Sequence, residues 1–207
     1  MIQIEQLFPT HIGYAINPFH KEIEDELTQQ CLKIKRSYKK DFEEFRKENI
    51  NSASPILDWF QFQRSAPYEL LKDQKFNRLH SWIDEQIKEY TEKLVLVVKL
   101  KCISGWFNVY EKYEFADYHN HLPNIVSCVY FLNCEEGAGA NLLFKNPSKD
   151  TLISYCKGMC GELVQDNIFH TPFPGKLVVF ASDIEHAVQQ HNTNNSRITL
   201  SYNYREG

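Results

Sequence analysis

The chain has 207 residues, 43% of them hydrophobic and 14% aromatic, with a formal net charge of -4. That is enough apolar material for one domain with a substantial core, and the acidic balance removes bulk electrostatic attraction to nucleic acid. The longest apolar run, Leu94 to Val98, is bounded by Lys93 and Lys99 and falls far short of a membrane span.

Met1 to Glu5 carries no charged-then-apolar leader, so the expectation is a cytoplasmic protein. Six cysteines are scattered along the chain (Cys31, Cys102, Cys128, Cys134, Cys156 and Cys160) and are expected as reduced, mostly buried thiols. The spacing of Cys156 and Cys160 is wrong for a zinc knuckle, and no second pair stands nearby.

The first half of the chain reads as helix and the second as strand. Met1 to Ile16 suggests a strand and turn interrupted by Pro9. Asn17 is placed to cap a helix beginning at Pro18 and running through Ile23, Leu27 and Cys31 to about Ile34. Tyr38 to Asn51 is a charged, solvated stretch. Pro67 begins a second long helix, in which Leu70, Leu71, Phe76, Leu79, Ile83, Ile87, Tyr90 and Leu94 recur at helical spacing. Such a stripe needs a partner surface.

From Val95 onward, short apolar runs alternate with turns. Strands are expected at 95–100, 105–110, 118–121, 126–132, 141–144, 177–181, 186–191 and 197–204. Many short strands of this kind build a sandwich or jelly roll. With helices on one sheet the result is an α+β, mainly β, domain over 1–207, its helix-rich part at 1–94 and its β core at 95–207.

The chemistry concentrates in that β half. His119 and His121 alternate on a strand-like segment, and side chains two apart on a strand share a face. His186 opens a later strand. Asp117 lies two before His119, which leaves four candidates for three metal positions: Asp117, His119, His121 and His186. Imidazole and carboxylate suit Fe(II), whose facial three-ligand set leaves positions open for a co-substrate and O2. Arg197 follows, and a hairpin from His186 would bring its guanidinium fork back beside the metal, where it matches a carboxylate. Ser201 and Asn203 alternate on the same face as Arg197, and Asn108 and Tyr110 alternate just before the histidine strand. Trp106 and Phe180 read as core, and His170 as a turn or surface group.

These residues fall into an ordered set. Leu7-Phe-Pro-Thr-His-Ile12 is followed by Trp106-Phe-Asn-Val-Tyr110, His119-Asn-His-Leu-Pro-Asn124, Ser127-Cys-Val-Tyr-Phe-Leu132, Gly175-Lys-Leu-Val-Val-Phe180, His186 and Arg197-Ile-Thr-Leu-Ser-Tyr-Asn203. Nearly end to end, the chain resembles a 2-oxoglutarate/Fe(II)-dependent oxygenase family of bacteria and phages that is itself similar to prolyl hydroxylases and alkyl-repair dioxygenases. The resemblance implies a double-stranded β-helix with the N-terminal helices packed on the larger sheet. It implies His119 and His186 as iron ligands, and Arg197 with Tyr110 on the far carboxylate of 2-oxoglutarate. By a looser carry-over it makes Asn108 and Asn203 polar co-substrate contacts. The implied reaction hydroxylates a small molecule or protein side chain and releases succinate and CO2.

Two positions depart from the wider superfamily. His121 stands where aspartate is usual, giving a three-histidine centre or one completed by Asp117. Tyr113 stands where a glycine is usual. Three other readings compete: a cupin-like three-histidine dioxygenase without a 2-oxo acid, a non-catalytic binding protein on the same fold, and a zinc hydrolase.

Overall fold

The computed structural model describes residues 10–48, 55–65, 68–96, 98–135, 140–146 and 167–207. Among the described residues, four helices precede the main run of strands: α1 (His20–Ser37), α2 (Lys39–Glu48), α3 (Pro55–Ser65) and α4 (Asn77–Lys93). One strand, β1 (Ile12–Ile16), comes before them. After them come β2 (Leu100–Tyr110), β3 (Ala116–His119), β4 (Val126–Asn133), β5 (Leu142–Lys145), β6 (Asn167–His170), β7 (Lys176–Ala181), β8 (His186–Val188) and β9 (Arg197–Glu206).

All strand pairings are antiparallel, in a five-stranded sheet β1-β7-β4-β9-β2 and a four-stranded sheet β3-β8-β5-β6. One cavity is lined by residues of both sheets, so the two layers face each other in the expected double-stranded β-helix. The helices pack on the larger sheet, α1 against β4 and β2 and α4 against β7.

The larger sheet is covered on both faces, which explains its sequence texture. Along β4, Tyr130 meets His20 and Trp82 of the helical layer, while Val129 lines the inter-sheet cavity. A strand buried on both sides reads as a continuous apolar run rather than an alternation, as Val126 to Leu132 does. Strand β9 splits more cleanly. Ile198, Leu200, Tyr202 and Tyr204 belong to the hydrophobic core, while the alternate residues Arg197, Thr199 and Ser201 line the cavity.

Helix α1 follows its predicted stripe but begins at His20. Asn17 Oδ1 accepts the Phe19 N–H at 3.0 Å in a turn ahead of the first helical residue. The charged stretch after Tyr38 folds as α2, which buries none of its residues although Phe42 and Phe45 pack on the core. The second long helix is shorter than its periodicity suggests. Asp73 is extended and turns its carboxylate onto the Lys75 N–H, breaking the segment into two single 3-10 turns before α4 starts at Asn77. Pro67, its expected start, lies outside the described residues.

Of the strand expected at 95–100 only Leu100 is paired, because the turn that ends α4 extends past Lys93. Val95 has φ +56°, and the Leu96 N–H donates to Thr91 O, so the chain closes the helix and pairing begins only at Leu100. Strand β6 has no counterpart in the sequence reading. Of the cysteines, Cys31 and Cys128 are buried free thiols, Cys102 is a half-buried free thiol, Cys134 is half-buried, and Cys156 and Cys160 lie outside the described residues.

Candidate functional site

Strand β3 delivers His119, and the turn just beyond it delivers His121. The β3–β8 register places His119 opposite His186, so the first and last candidates are cross-strand neighbours in the smaller sheet. His121 is not on the strand as expected. Its backbone N–H donates to Ser182 O at 2.8 Å, and that bond folds the turn back over the sheet mouth. The ligand atoms of His119, His121 and His186 all lie within 4.8 Å of one another, and they are the candidate metal-binding group among the described residues.

Hydrogen bonds set the ring tautomers. His119 Nδ1 donates to Asp117 O at 2.7 Å and His186 Nδ1 donates to Ile184 O at 3.0 Å. With Nδ1 protonated and held by a carbonyl, each Nε2 presents a lone pair, the form in which imidazole ligates metal. His121 Nε2 stands 3.1 Å from His186 Nε2. Two imidazole nitrogens at that distance share either a proton or a cation. Burial pushes all three pKa values down, His121 to about 3 and His186 well below its usual value, and each ring's neighbours reinforce the shift at His121 and His186. Neutral rings are what a metal needs.

Asp117 is brought near only through its main chain. Between Ala116 and His119 the pairing with β8 shifts register, so strict alternation fails there, and the Asp117 side chain is exposed and outside the ligand group. The premise that Asp117 and His119 share a face is therefore corrected.

Arg197 sits in the same cavity, though not by the expected hairpin. Strand β8 belongs to the smaller sheet and β9 to the larger, so the chain crosses between layers on its way from His186 to Arg197. Arg197 is 1% exposed. Its guanidinium carbon lies 4.8 Å from the Tyr110 ring centroid and 5.3 Å from that of Phe131, and Nη1 donates to Ala140 O. Nε and Nη2 have no partner among the described residues. A buried cation with two unmet donors is costly and calls for an anion. Tyr110 is buried opposite Arg197 in the β2–β9 register, its hydroxyl pKa raised by burial to about 12 against the opposing pull of Arg197.

Asn108 and Ser201 also line the cavity, and Asn108 Oδ1 is another buried atom without a partner among the described residues. Asn203 is not in the cavity wall. It accepts from Ser127 Oγ at 2.8 Å and donates to Ser104 Oγ at 3.3 Å, and Ser127 Oγ is 2.7 Å from Ser182 Oγ. Ser182 is the residue whose carbonyl anchors His121, so Asn203 braces the His121 turn from one step away.

Trp106, expected as core, lines the cavity 5.4 Å from His121. Its alternation with Asn108 and Tyr110 on β2 is the signal that could have placed it there. Ile56, Leu57 and Phe60 of α3 close the cavity from above. Nothing in their local pattern points to a site, because their role depends on where α3 docks. Tyr113, at the superfamily glycine position, has φ +73° and donates its N–H to His191 O, so the loop keeps a left-handed turn without the glycine.

Residues 104–203 match a family model described as "Putative 2OG-Fe(II) oxygenase". No curated protein matches the chain. Among solved structures, a Pseudomonas putida prolyl-4-hydroxylase aligns with a TM-score of 0.58 at 15% identity, covering 96% of this chain and 89% of that one. An oxidoreductase of the 2OG-Fe(II) oxygenase family from Burkholderia pseudomallei aligns at 0.44 and 16% identity over 66% of this chain, which spans only 54% of that protein's length. HygX from Streptomyces hygroscopicus, with nickel and 2-oxoglutarate bound, aligns at 0.49 and 12% identity, covering 67% of this chain and 68% of that one. The prolyl-4-hydroxylase likeness extends over the helical layer as well as the β core and is a likeness of fold.

Proposed function

We propose that the chain, whose residues 104–203 match the 2OG-Fe(II) oxygenase family model, is a dioxygenase hydroxylating a small molecule or a protein side chain. One observation carries this reading. Three neutral imidazoles converge in a cavity that also holds a buried arginine with two unmet donors. A metal and a dianion together satisfy both halves of that arrangement.

The donor set fits Fe(II): three nitrogen ligands on one side, with the cavity on the other. His119, His121 and His186 would hold the metal, which when bound would supply the oxidation of 2-oxoglutarate by O2 to succinate and CO2 together with oxygen transfer to substrate. The backbone carbonyls of Asp117 and Ile184 keep two of the rings in the ligating tautomer. Arg197 would take the far carboxylate of 2-oxoglutarate through Nε and Nη2, with the Tyr110 ring beneath the guanidinium limiting its rotation. Asn108 and Ser201 would bind the remaining oxygens. Trp106, Phe60 and Ile56 exclude water and give the substrate an apolar wall, which suits an aliphatic carbon as the target.

The test is succinate release. Fe(II)-loaded protein with 2-oxoglutarate and O2 is incubated with proline-containing peptides, free amino acids and small aliphatic acids, and products are followed by mass spectrometry. The expected result is succinate in equal amount to a product heavier by one oxygen atom, lost in Arg197→Ala and His186→Ala. Product formed without 2-oxoglutarate would overturn the reading in favour of a cupin-like dioxygenase.

A further inference from the structure

The three candidate ligands are not held alike. His119 and His186 stand in register on paired strands, and each ring is tied through Nδ1 to a backbone carbonyl. His121 lies in the turn between β3 and β4, outside the strand pairing. Its Nε2 nevertheless comes within 3.1 Å of His186 Nε2. The backbone of the turn therefore decides where the third nitrogen sits.

That backbone is anchored on both sides of His121. Its N–H donates to Ser182 O at 2.8 Å. Its carbonyl accepts two hydrogen bonds, and both come from Asn124: the backbone N–H at 3.0 Å and the side-chain Nδ2 at 2.5 Å. The same side chain reaches outward, where Asn124 Oδ1 accepts from Arg205 Nε at 2.9 Å. Arg205 is in β9, and the next residue along the turn joins the same strand, since the Ile125 N–H donates to Tyr204 O at 2.9 Å. Asn124 thus fastens the His121 carbonyl to the end of the larger sheet, while the histidines it serves face the cavity.

The chemistry of the amide gives it a direction. A primary amide has one donating and one accepting end, a carbonyl accepts, and a guanidinium donates. One orientation of Asn124 satisfies both neighbours, with its NH2 on His121 O and its oxygen on Arg205. Aspartate has nearly the same size and would keep Arg205, but its ionised carboxylate only accepts. It would set a second oxygen against the His121 carbonyl. The position therefore calls for a donor toward His121, which volume alone does not supply.

We propose that Asn124 is a positioning residue for the metal site, holding the His121 carbonyl so that the His121 ring completes the three-nitrogen set. The inference rests on the three-histidine metal reading and deepens it. Groups one step out from a metal ligand set its orientation, and their loss lowers metal affinity by about 10- to 100-fold.

The test is Co(II) titration of the full-length metal-free protein at pH 7.5, followed by visible absorption. Asn124→Ala should weaken Co(II) binding by about tenfold, and by no more than His121→Ala does. Its bound-Co(II) spectrum should shift toward that of His121→Ala. Asn124→Asp, which keeps the volume and the Arg205 contact, should shift the spectrum in the same way. The double variant Asn124→Ala/His121→Ala should match the affinity of His121→Ala within about twofold, because a residue acting through the His121 ring has nothing further to lose once that ring is gone. Native affinity and spectrum in Asn124→Asp, or additive losses in the double variant, would overturn the proposal while leaving the metal reading intact. A native chain that binds no Co(II) would overturn the metal reading itself, and this inference with it.

Discussion

Tyr110 and Arg197 are direct partners in the β2–β9 register, and the guanidinium carbon lies 4.8 Å from the phenol ring centroid. The tyrosine ring therefore fixes the plane of the guanidinium, while Ala140 O occupies one of its donors. The remaining two donors, Nε and Nη2, are the groups the account assigns to the 2-oxoglutarate carboxylate.

Replacing Arg197 by alanine should weaken 2-oxoglutarate binding by about 10- to 100-fold, the loss of charge-assisted hydrogen bonds worth roughly 1.5–3 kcal/mol. Lysine should rescue it only in part, because a point charge cannot reproduce the fork. Fe(II) affinity should be unchanged in both. Calorimetric titration with 2-oxoglutarate in the presence of Co(II), in place of oxidisable iron, measures each value.

His121→Ala should lower metal affinity by roughly tenfold or more, on the scale of losses seen when metal-site groups are removed. His121→Asp should recover much of it, since a carboxylate also ligates Fe(II). Asp117→Asn should have no effect, because the Asp117 group that touches the site is its backbone carbonyl. Competition with a chromogenic chelator distinguishes the three variants. Weakening by Asp117→Asn would return the aspartate to the ligand set.

Asn203→Ala removes one member of a buried chain that runs through Ser127 to Ser182 and so to the backbone of His121. It should cost about 1–3 kcal/mol of stability, the penalty for leaving buried hydroxyls unpaired. Metal affinity should fall with it, while the Kd for 2-oxoglutarate at saturating metal should stay within twofold. A large loss of 2-oxoglutarate affinity would instead make Asn203 a co-substrate contact, as the sequence resemblance implied.

Acid should destabilise the metal-free protein. Burial depresses the pKa of His20 and His80, two histidines away from the metal group. Below the unfolded value of about 6.5, the unfolded chain binds protons that the folded chain refuses. Stability is therefore fully present above that pH and lost as pH falls through it. Melting temperatures recorded between pH 7.5 and pH 5 should decline, and His20→Asn should flatten the decline.

Much of the candidate site was legible because its signals are local. His119, His121, His186, Arg197, Tyr110 and Asn108 stand out by residue type and two-residue alternation, and the structure gathers them around one cavity. The errors arose where backbone geometry intervened. A register shift in β3 turns Asp117 outward, Asp73 breaks a helix that hydrophobic periodicity runs through, and Val95 closes a helix where its β-branched neighbours suggest a strand. Asn203 shows a subtler limit. It shares strand parity with Arg197 and Ser201, yet its place opposite Ser127 gives it a structural partner before it can reach the cavity. The α3 residues that cap the cavity carry no local signal, since only tertiary docking brings Ile56 and Phe60 to it.

The central claim is that three histidines and Arg197 together form one metal and 2-oxoglutarate site. Anaerobic titration of the metal-free protein with Fe(II) and then 2-oxoglutarate, following visible absorption, tests it most directly. The account predicts a metal-to-ligand charge-transfer band that appears only when both are present, is abolished by His186→Ala, and needs much higher 2-oxoglutarate in Arg197→Ala. Bound iron with no band at any 2-oxoglutarate concentration would contradict it.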